Sequence, residues 1–325
     1  ALGSLMNPGG GLAKPTGQQW TGVMNPPSLP VKAKRVIFLC MAGGPSHLET
    51  FDNKPELAKL HGKPMPESFT KGQQIAQLQG KELKAFGPQH EFKRWGQSGQ
   101  EFTHIFPHLG KIADEIAIIR SMQTEQINHD PAHTFMNTGS IIAGRPSMGS
   151  WINYGLGTEN RNLPGFVTIC PTSLHGGVYN YGSAFLPAAY HGISLGTPGY
   201  PNAPVENAQF RFTKNTRLNR DQQSLQLDLL REMNRKQLDE TGPDTALEGR
   251  IHSFELAFRM QRESAEVLNT SRETTATKTL YGIDKKESSN FGMQCLLARR
   301  FAERGVRFIQ VTHSQDRMPQ EQWDQ

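Results

Sequence analysis

The sequence predicts an α/β fold built on a mainly parallel sheet, and three observations carry that prediction. Apolar runs of strand length, near 34–42, 166–170 and 306–311, are separated by helical stretches, the succession a parallel sheet with helices on both faces requires. The first of them, Arg35-Val36-Ile37-Phe38-Leu39-Cys40-Met41-Ala42, is unbroken and rich in β-branched residues, as in a strand buried on both faces. Gly43-Gly44-Pro45 ends it at once, and Ser46, His47, Glu49 and Asp52 follow. Open α/β sheets bind ligands just outside the carboxyl ends of their strands, so this loop delivers a hydroxyl, an imidazole and two carboxylates to the expected place for a site.

The elements follow in order. Residues 7–33 are rich in Gly, Pro, Asn and Gln without apolar periodicity and read as an extended lead-in. Residues 62–104 are polar and read as a long loop with a short hairpin. A helix is expected near 108–115 and a strand at Ala117-Ile118-Ile119-Arg120. In Asn128-His129-Asp130-Pro131-Ala132-His133, Asp130 is a good N-cap and Pro131 the favoured first helical residue, so a helix should run from 131 to about 142. A further helix carries Trp151 and Tyr154, and Phe166-Val167-Thr168-Ile169-Cys170 is a strand. The Gly-, Tyr- and Pro-rich segment 171–213 is too long for a simple connector and reads as a cover over the site, with His175, Tyr190 and His191 within it. Helices are expected at 219–240, 246–272 and 289–304, the second carrying a charge ladder of Glu248, Glu255, Arg259, Arg262 and Glu266 on a solvated face. Val306-Arg307-Phe308-Ile309-Gln310-Val311 is the last strand, followed by His313.

Composition narrows the function classes. The chain has 325 residues, ample for one large α/β domain or two small ones, and its mean hydropathy of −0.56 with 32 Gly and 21 Pro implies long structured loops around a modest sheet. The net charge of +5 is scattered, with no basic run and no interleaved aromatic stripe, which argues against nucleic-acid binding. Cys40, Cys170 and Cys295 sit in apolar runs and read as small buried hydrophobes, not as a disulfide framework or a zinc knuckle. No stretch of 18 apolar residues is present, so no membrane-spanning helix is expected. Residues 1–6 read either as the end of a secretory signal or as a fragment boundary.

Several strings together carry a resemblance. They are Met41-Ala42-Gly43-Gly44-Pro45-Ser46-His47, Asn128-His129-Asp130-Pro131-Ala132-His133, Thr138-Gly139, Gly144-Arg145-Pro146-Ser147-Met148-Gly149-Ser150-Trp151 and Phe291-Gly292-Met293-Gln294-Cys295-Leu296-Leu297-Ala298-Arg299-Arg300. Over essentially its whole length the chain resembles the bacterial family called domain of unknown function 1501, abundant in planctomycetes. That family is similar to the alkaline phosphatase and sulfatase superfamily. The resemblance implies an alkaline-phosphatase-like three-layer sandwich over 34–325, incomplete at the C-terminus, with insertions at 62–104 and 171–213 and a signal remnant and lead-in at 1–33. It also implies twin-arginine export to the periplasm or cell envelope, a divalent metal (Zn, Ca, Mg or Mn) and hydrolysis of a small-molecule or glycan sulfate or phosphate ester.

The correspondence is incomplete at the chemistry. Sulfatases place metal-binding aspartates directly after the first strand, where this chain has Gly43-Gly44. Their nucleophile motif, Cys/Ser-x-Pro-Ser-Arg with Thr-Gly nine residues on, maps onto His129-Asp130-Pro131-Ala132-His133 with Thr138-Gly139. Here the nucleophile and the Arg are both replaced by His, so a carbonyl-activated nucleophile cannot form. The resemblance therefore leaves His129, His133 and Arg145 as candidate catalytic groups. It makes His47, Glu49, Asp52, His313 and Asp324 candidate metal ligands, and Ser46, Asn128, Asp130 and Ser147 candidate anion-binding groups. Each has a plain structural reading beside it: caps for Ser46, Asp52 and Asp130, surface histidines for 129 and 133, and a loop tie for Arg145. Two readings stay open, a metal-dependent hydrolase and a non-catalytic sulfated-glycan-binding or cell-envelope protein. Family ligands are expected beyond Gln325, so residues 1–325 alone are expected to lack turnover.

Overall fold

The computed structural model describes residues 22–24, 27–41, 44–72, 80–124, 126–173, 175–196, 205–211, 213–242 and 244–313. In chain order its strands are β1 (Val36–Met41), β2 (Phe92–Trp95), β3 (Gln100–Thr103), β4 (Phe166–Ile169), β5 (Ile193–Leu195) and β6 (Phe308–His313). Its α-helices are α1 (His47–Thr50), α2 (Pro55–Leu60), α3 (Glu67–Thr70), α4 (Pro107–Gly110), α5 (His129–Thr138), α6 (Met148–Leu156), α7 (Arg220–Thr241), α8 (Thr245–Leu268), α9 (Thr275–Leu280) and α10 (Ser289–Glu303). The chain divides into two compact units, one of residues 1–42 and 133–317, the other of residues 43–132 and 318–325.

The larger unit is α/β. Its four strands run in the order β1-β6-β4-β5, and every neighbouring pair is parallel. Alternation along the strands assigns the two faces. Odd-numbered Val167, Ile169, Ile309 and Val311 pack on Leu256, Met260 and Val267 of α8 and on Leu297, Ala298 and Phe301 of α10. Even-numbered Phe166 and Phe308 pack with Phe38, and with Met148 and Ile152 of α6. Gly149 lets α6 approach this face, since a Cβ there would stand 2.6 Å from the Phe166 ring. Helices therefore cover both faces of the central strands, as their apolar runs require.

β1 corrects the reading of a strand buried on both faces. Among the described residues it pairs only with β6 and so lies at the edge of the described sheet, and Ile37, Leu39 and Met41 are 42–47 % exposed. Its apolar run looks like that of β4, but β4 lies between two strands and is wholly buried. β5, within the expected cover segment, was not legible: three residues, Ile-Ser-Leu, carry no periodicity. Around it the segment makes single 3₁₀ turns at Gly177–Asn180, Ala188–Tyr190 and Val205–Asn207.

α7 and α8 lie side by side, with Gln261 donating to Gln223 at 2.7 Å and Arg231 paired with Glu255 at 2.5 Å. α7 opens on a capping box, the Asn219 side chain accepting from the Gln222 amide and the Gln222 side chain from the Asn219 amide. The expected helix 246–272 ends at Leu268, and the short α9 follows after Thr274 caps it through the Thr277 amide.

In the smaller unit the polar insertion contains the predicted hairpin, β2 paired antiparallel with β3. Trp95 stacks on Phe102, at 5.4 Å between centroids, and its indole donates to the Phe102 carbonyl. Residues 117–120 form no strand; the expected helix at 108–115 is the short α4 and a 3₁₀ turn at Ala113–Glu115.

Candidate functional site

Parallel register brings Cys40 beside Thr312 and Met41 beside His313 at the carboxyl ends of β1 and β6. The even face there meets α5. Gln310 donates to the Asn137 side chain at 3.1 Å, and Asn137 donates to the His133 carbonyl at 2.9 Å. This buried polar chain fixes α5 on the sheet, and it seats the His133 ring against the end of β1. There the Cys40 Sγ lies 4.0 Å from His133 Nδ1. The His133 ring also stacks on His175, with centroids 5.4 Å apart and planes at 27°.

His175 comes from the loop after β4 and is held in the left-handed region, φ 53°, as is Cys170 at φ 46°. A non-glycine residue there is strained, and strain of this kind collects at functional sites. The Asn180 side chain holds the turn by donating to the His175 carbonyl at 2.7 Å. Burial pushes the Cys40 thiol up to about 11, so it stays protonated at neutral pH. The arrangement is a pair of imidazoles, one of them buried, beside a neutral thiol at the carboxyl edge of a parallel sheet. It is suited to proton transfer and to holding an oxyanion through ring N–H groups.

Several of the remaining candidates make local contacts within their own units. His313 leaves β6 on the odd face, opposite to His133, and its ring meets Phe291 of α10 edge-on at 4.8 Å. Burial lowers its pKa. Ser147 is 1 % exposed, and its hydroxyl is bonded to that of Ser150, which donates to the Gly182 carbonyl. Arg145 is exposed, and among the described residues no hydrogen bond or ion pair engages it.

In the smaller unit, the carboxylate of Glu49 accepts from the Gln89 amide at 3.1 and 3.0 Å, and Asp52 is paired with Lys54 at 2.8 Å. Hydrogen bonding from Lys54 lowers the Asp52 pKa. Both carboxylates thus hold loop segments. Ser46 precedes α1 without a side-chain capping bond, and its carbonyl accepts from the Thr50 hydroxyl at 2.7 Å. His47, Asn128, His129 and Asp130 are exposed. α5 starts at His129 and ends at Thr138, so Asp130 lies in the first turn and not at the cap expected of it. Asp324 lies outside the described residues. Among the described residues no group of three His, Cys, Asp or Glu side chains is placed to hold a metal ion. Sequence reasoning passed over Cys40 and rated His175 only as part of a cover. The one available signal was that both stand just at or beyond strand ends.

The fold and this corner define a parallel α/β protein with an imidazole pair at its strand ends. The model of the family described as "Protein of unknown function (DUF1501)" matches residues 33–325, and the chain belongs to that family. No curated protein and no solved structure matches it. No helix among the described residues is long and apolar enough to cross a membrane.

Proposed function

We propose that the protein is an exported hydrolase of sulfate or phosphate esters in the manner of the sulfatases, with His133 as its central proton-transfer group. The observation that carries this reading is the buried His133 stacked on the strained His175 at the carboxyl end of β1. In this reading His133 takes a proton from the attacking water or returns one to the leaving alcohol. His175 shares the charge, and substrate enters from the strand ends. Export and an alkaline-phosphatase-like architecture are part of the proposal and rest on the resemblance. So does a divalent metal, although among the described residues no three His, Cys, Asp or Glu side chains form a set of ligands for one.

The test is turnover of aryl sulfate and aryl phosphate by the full-length protein, with Zn²⁺, Mn²⁺, Mg²⁺ or Ca²⁺ added or with EDTA. His133→Ala is expected to lower kcat/KM by about 10²–10⁴, the range for a lost general acid or base. Turnover unchanged by His133→Ala would refute the assignment.

A second reading, a non-catalytic glycan-binding or cell-envelope protein, is favoured by one feature. Trp151 and Phe185, 37 % and 55 % exposed, meet edge-on at 5.8 Å and offer apolar ring faces to solvent. Absence of turnover under every metal condition would favour it.

A further inference from the structure

A second site is built at the other end of the sheet. The segment 158–165 leads into the amino end of β4, and Asn160 anchors it by donating to the Arg304 carbonyl just before β6. Beside it a cavity of ≈ 260 Å³ is lined by Asn162, Arg220, Arg259, Arg262, Glu263 and Glu266. The last four are spaced i, i+3, i+4, i+7 on α8 and so share one helix face. Arg220, the first residue of α7, completes the wall. From sequence alone this face reads as a solvated charge ladder; in the structure it lines a concavity holding three guanidinium groups.

The arginines are positioned, and only part of their bonding capacity is used. Arg259 donates Nε to the Arg161 carbonyl at 2.8 Å and has Glu255 3.4 Å from Nη1, which fixes its plane. The Arg220 guanidinium lies over the Phe258 ring at 4.6 Å, and among the described residues no ion pair engages it. Stacking holds that plane while leaving its N–H edge for an acceptor. Among the described residues Arg262 is paired only with Glu266, at 3.5 Å, with the two side chains 81 % and 54 % exposed. So open an ion pair is weak and yields readily to a dianion.

We propose that this cavity binds the tetrahedral oxyanion ester of a hydroxylated ligand, a sugar sulfate or sugar phosphate. Three guanidinium groups match the oxyanion by forked hydrogen bonds. Asn162 and the Glu263 and Glu266 carboxylates are acceptors for hydroxyl groups, which a bare inorganic ion lacks. The cavity, at ≈ 260 Å³, is a little smaller than the about 300–1,000 Å³ of drug-sized sites, which suits one sugar ring with its ester. The inference goes beyond the hydrolase reading, since it concerns binding at the opposite end of the strands and requires neither His133 nor a metal.

The test is calorimetric titration of the full-length protein in EDTA and low salt, with glucose-6-sulfate and glucose-6-phosphate as probes and inorganic sulfate and phosphate beside them. Ester binding is expected, at least about fivefold tighter than the inorganic ion and weakened at least about tenfold by Arg220→Ala or by Arg262→Gln. Both side chains are surface groups, so the thermal midpoint of each variant should match the parent and show that folding is intact. Glu263→Leu, which removes the hydroxyl acceptor together with its charge, should reduce the preference for the esters over the inorganic ions. Failure of both esters to bind, unchanged binding in both arginine variants, or inorganic ions bound as tightly as the esters would each overturn the proposal, and none would bear on turnover at His133.

Discussion

Glu273→Gln is expected to destabilise the larger unit by about 2–3 kcal/mol at pH 7. Glu273 lies between α8 and α9 and accepts from two arginines of α10, from Arg299 at 2.9 Å and from Arg300. The side chains of Glu273 and Arg300 are each 11 % exposed, so the pair is largely removed from water. Breaking a fully buried pair by removing one charge costs about 3–5 kcal/mol. Two features lower that figure here. Arg300 keeps three backbone acceptors, the carbonyls of Val267, Glu266 and Asn269 at 2.7–3.0 Å, and Gln retains one acceptor oxygen of similar shape. The pH dependence provides a second check. Burial by itself would raise the Glu273 pKa, but the hydrogen bonds from Arg299 and Arg300 outweigh it and hold the carboxyl below its ordinary 4.5. A depressed folded pKa means stability that is fully present above the unfolded value and lost as pH falls through the folded one. The parent and Glu273→Gln should therefore differ at pH 7, begin to converge as pH falls below about 4.5, and become equal only once pH has passed the depressed folded value. Urea unfolding followed by far-ultraviolet circular dichroism across that range measures both. A difference under about 0.5 kcal/mol at pH 7, the scale of an ordinary surface substitution, would refute the argument that α10 is clamped by this carboxylate.

Three further outcomes are expected. All three thiols are pushed up to about 11 by burial, so the native protein should react negligibly with a thiol reagent at pH 8, and three equivalents should react after denaturation; rapid labelling of Cys40 in the native state would contradict the neutral-thiol assignment. Burial lowers the pKa of His191 and of His313 below 6.5, so unfolding takes up protons and stability should fall as pH drops below about 6.5, with a shallower fall in the double variant His191→Gln/His313→Gln; parallel stability profiles would show that neither group is responsible. Gly149→Ala should cost about 1–3 kcal/mol by overpacking, because the new methyl would stand 2.6 Å from a fully buried Phe166 ring, and an unchanged thermal midpoint would mean α6 moves freely off the sheet.

Much of the fold was legible because periodicity is a local property. Val167, Ile169, Ile309 and Val311 announce buried strands through composition alone, and α7, α8 and α10 appear within a few residues of their predicted bounds. The edge position of β1 was not legible, because apolar runs report strand propensity and not how many neighbours a strand acquires. The site shows the same division. Strand ends followed by glycine and polar groups pointed to the carboxyl edge, and His133 was singled out there. What the string could not show is that Glu49 is held by Gln89 and Asp52 by Lys54, or that His313 leaves β6 on the face opposite to His133. Nor could spacing along α8 reveal that Arg220 closes a cavity against Arg259 and Arg262, since those groups come from separate helices.

The sequence by itself determined the class of fold, the family, and the end of the sheet to search, because apolar period, turn residues and long motif strings are all read within a few residues of one another. Tertiary structure alone decided which side chains share a space. Cys40, His133 and His175 meet because parallel register and the Gln310–Asn137 bond set α5 against β1, and pairings between residues so distant in the chain are fixed by packing, which no local pattern encodes.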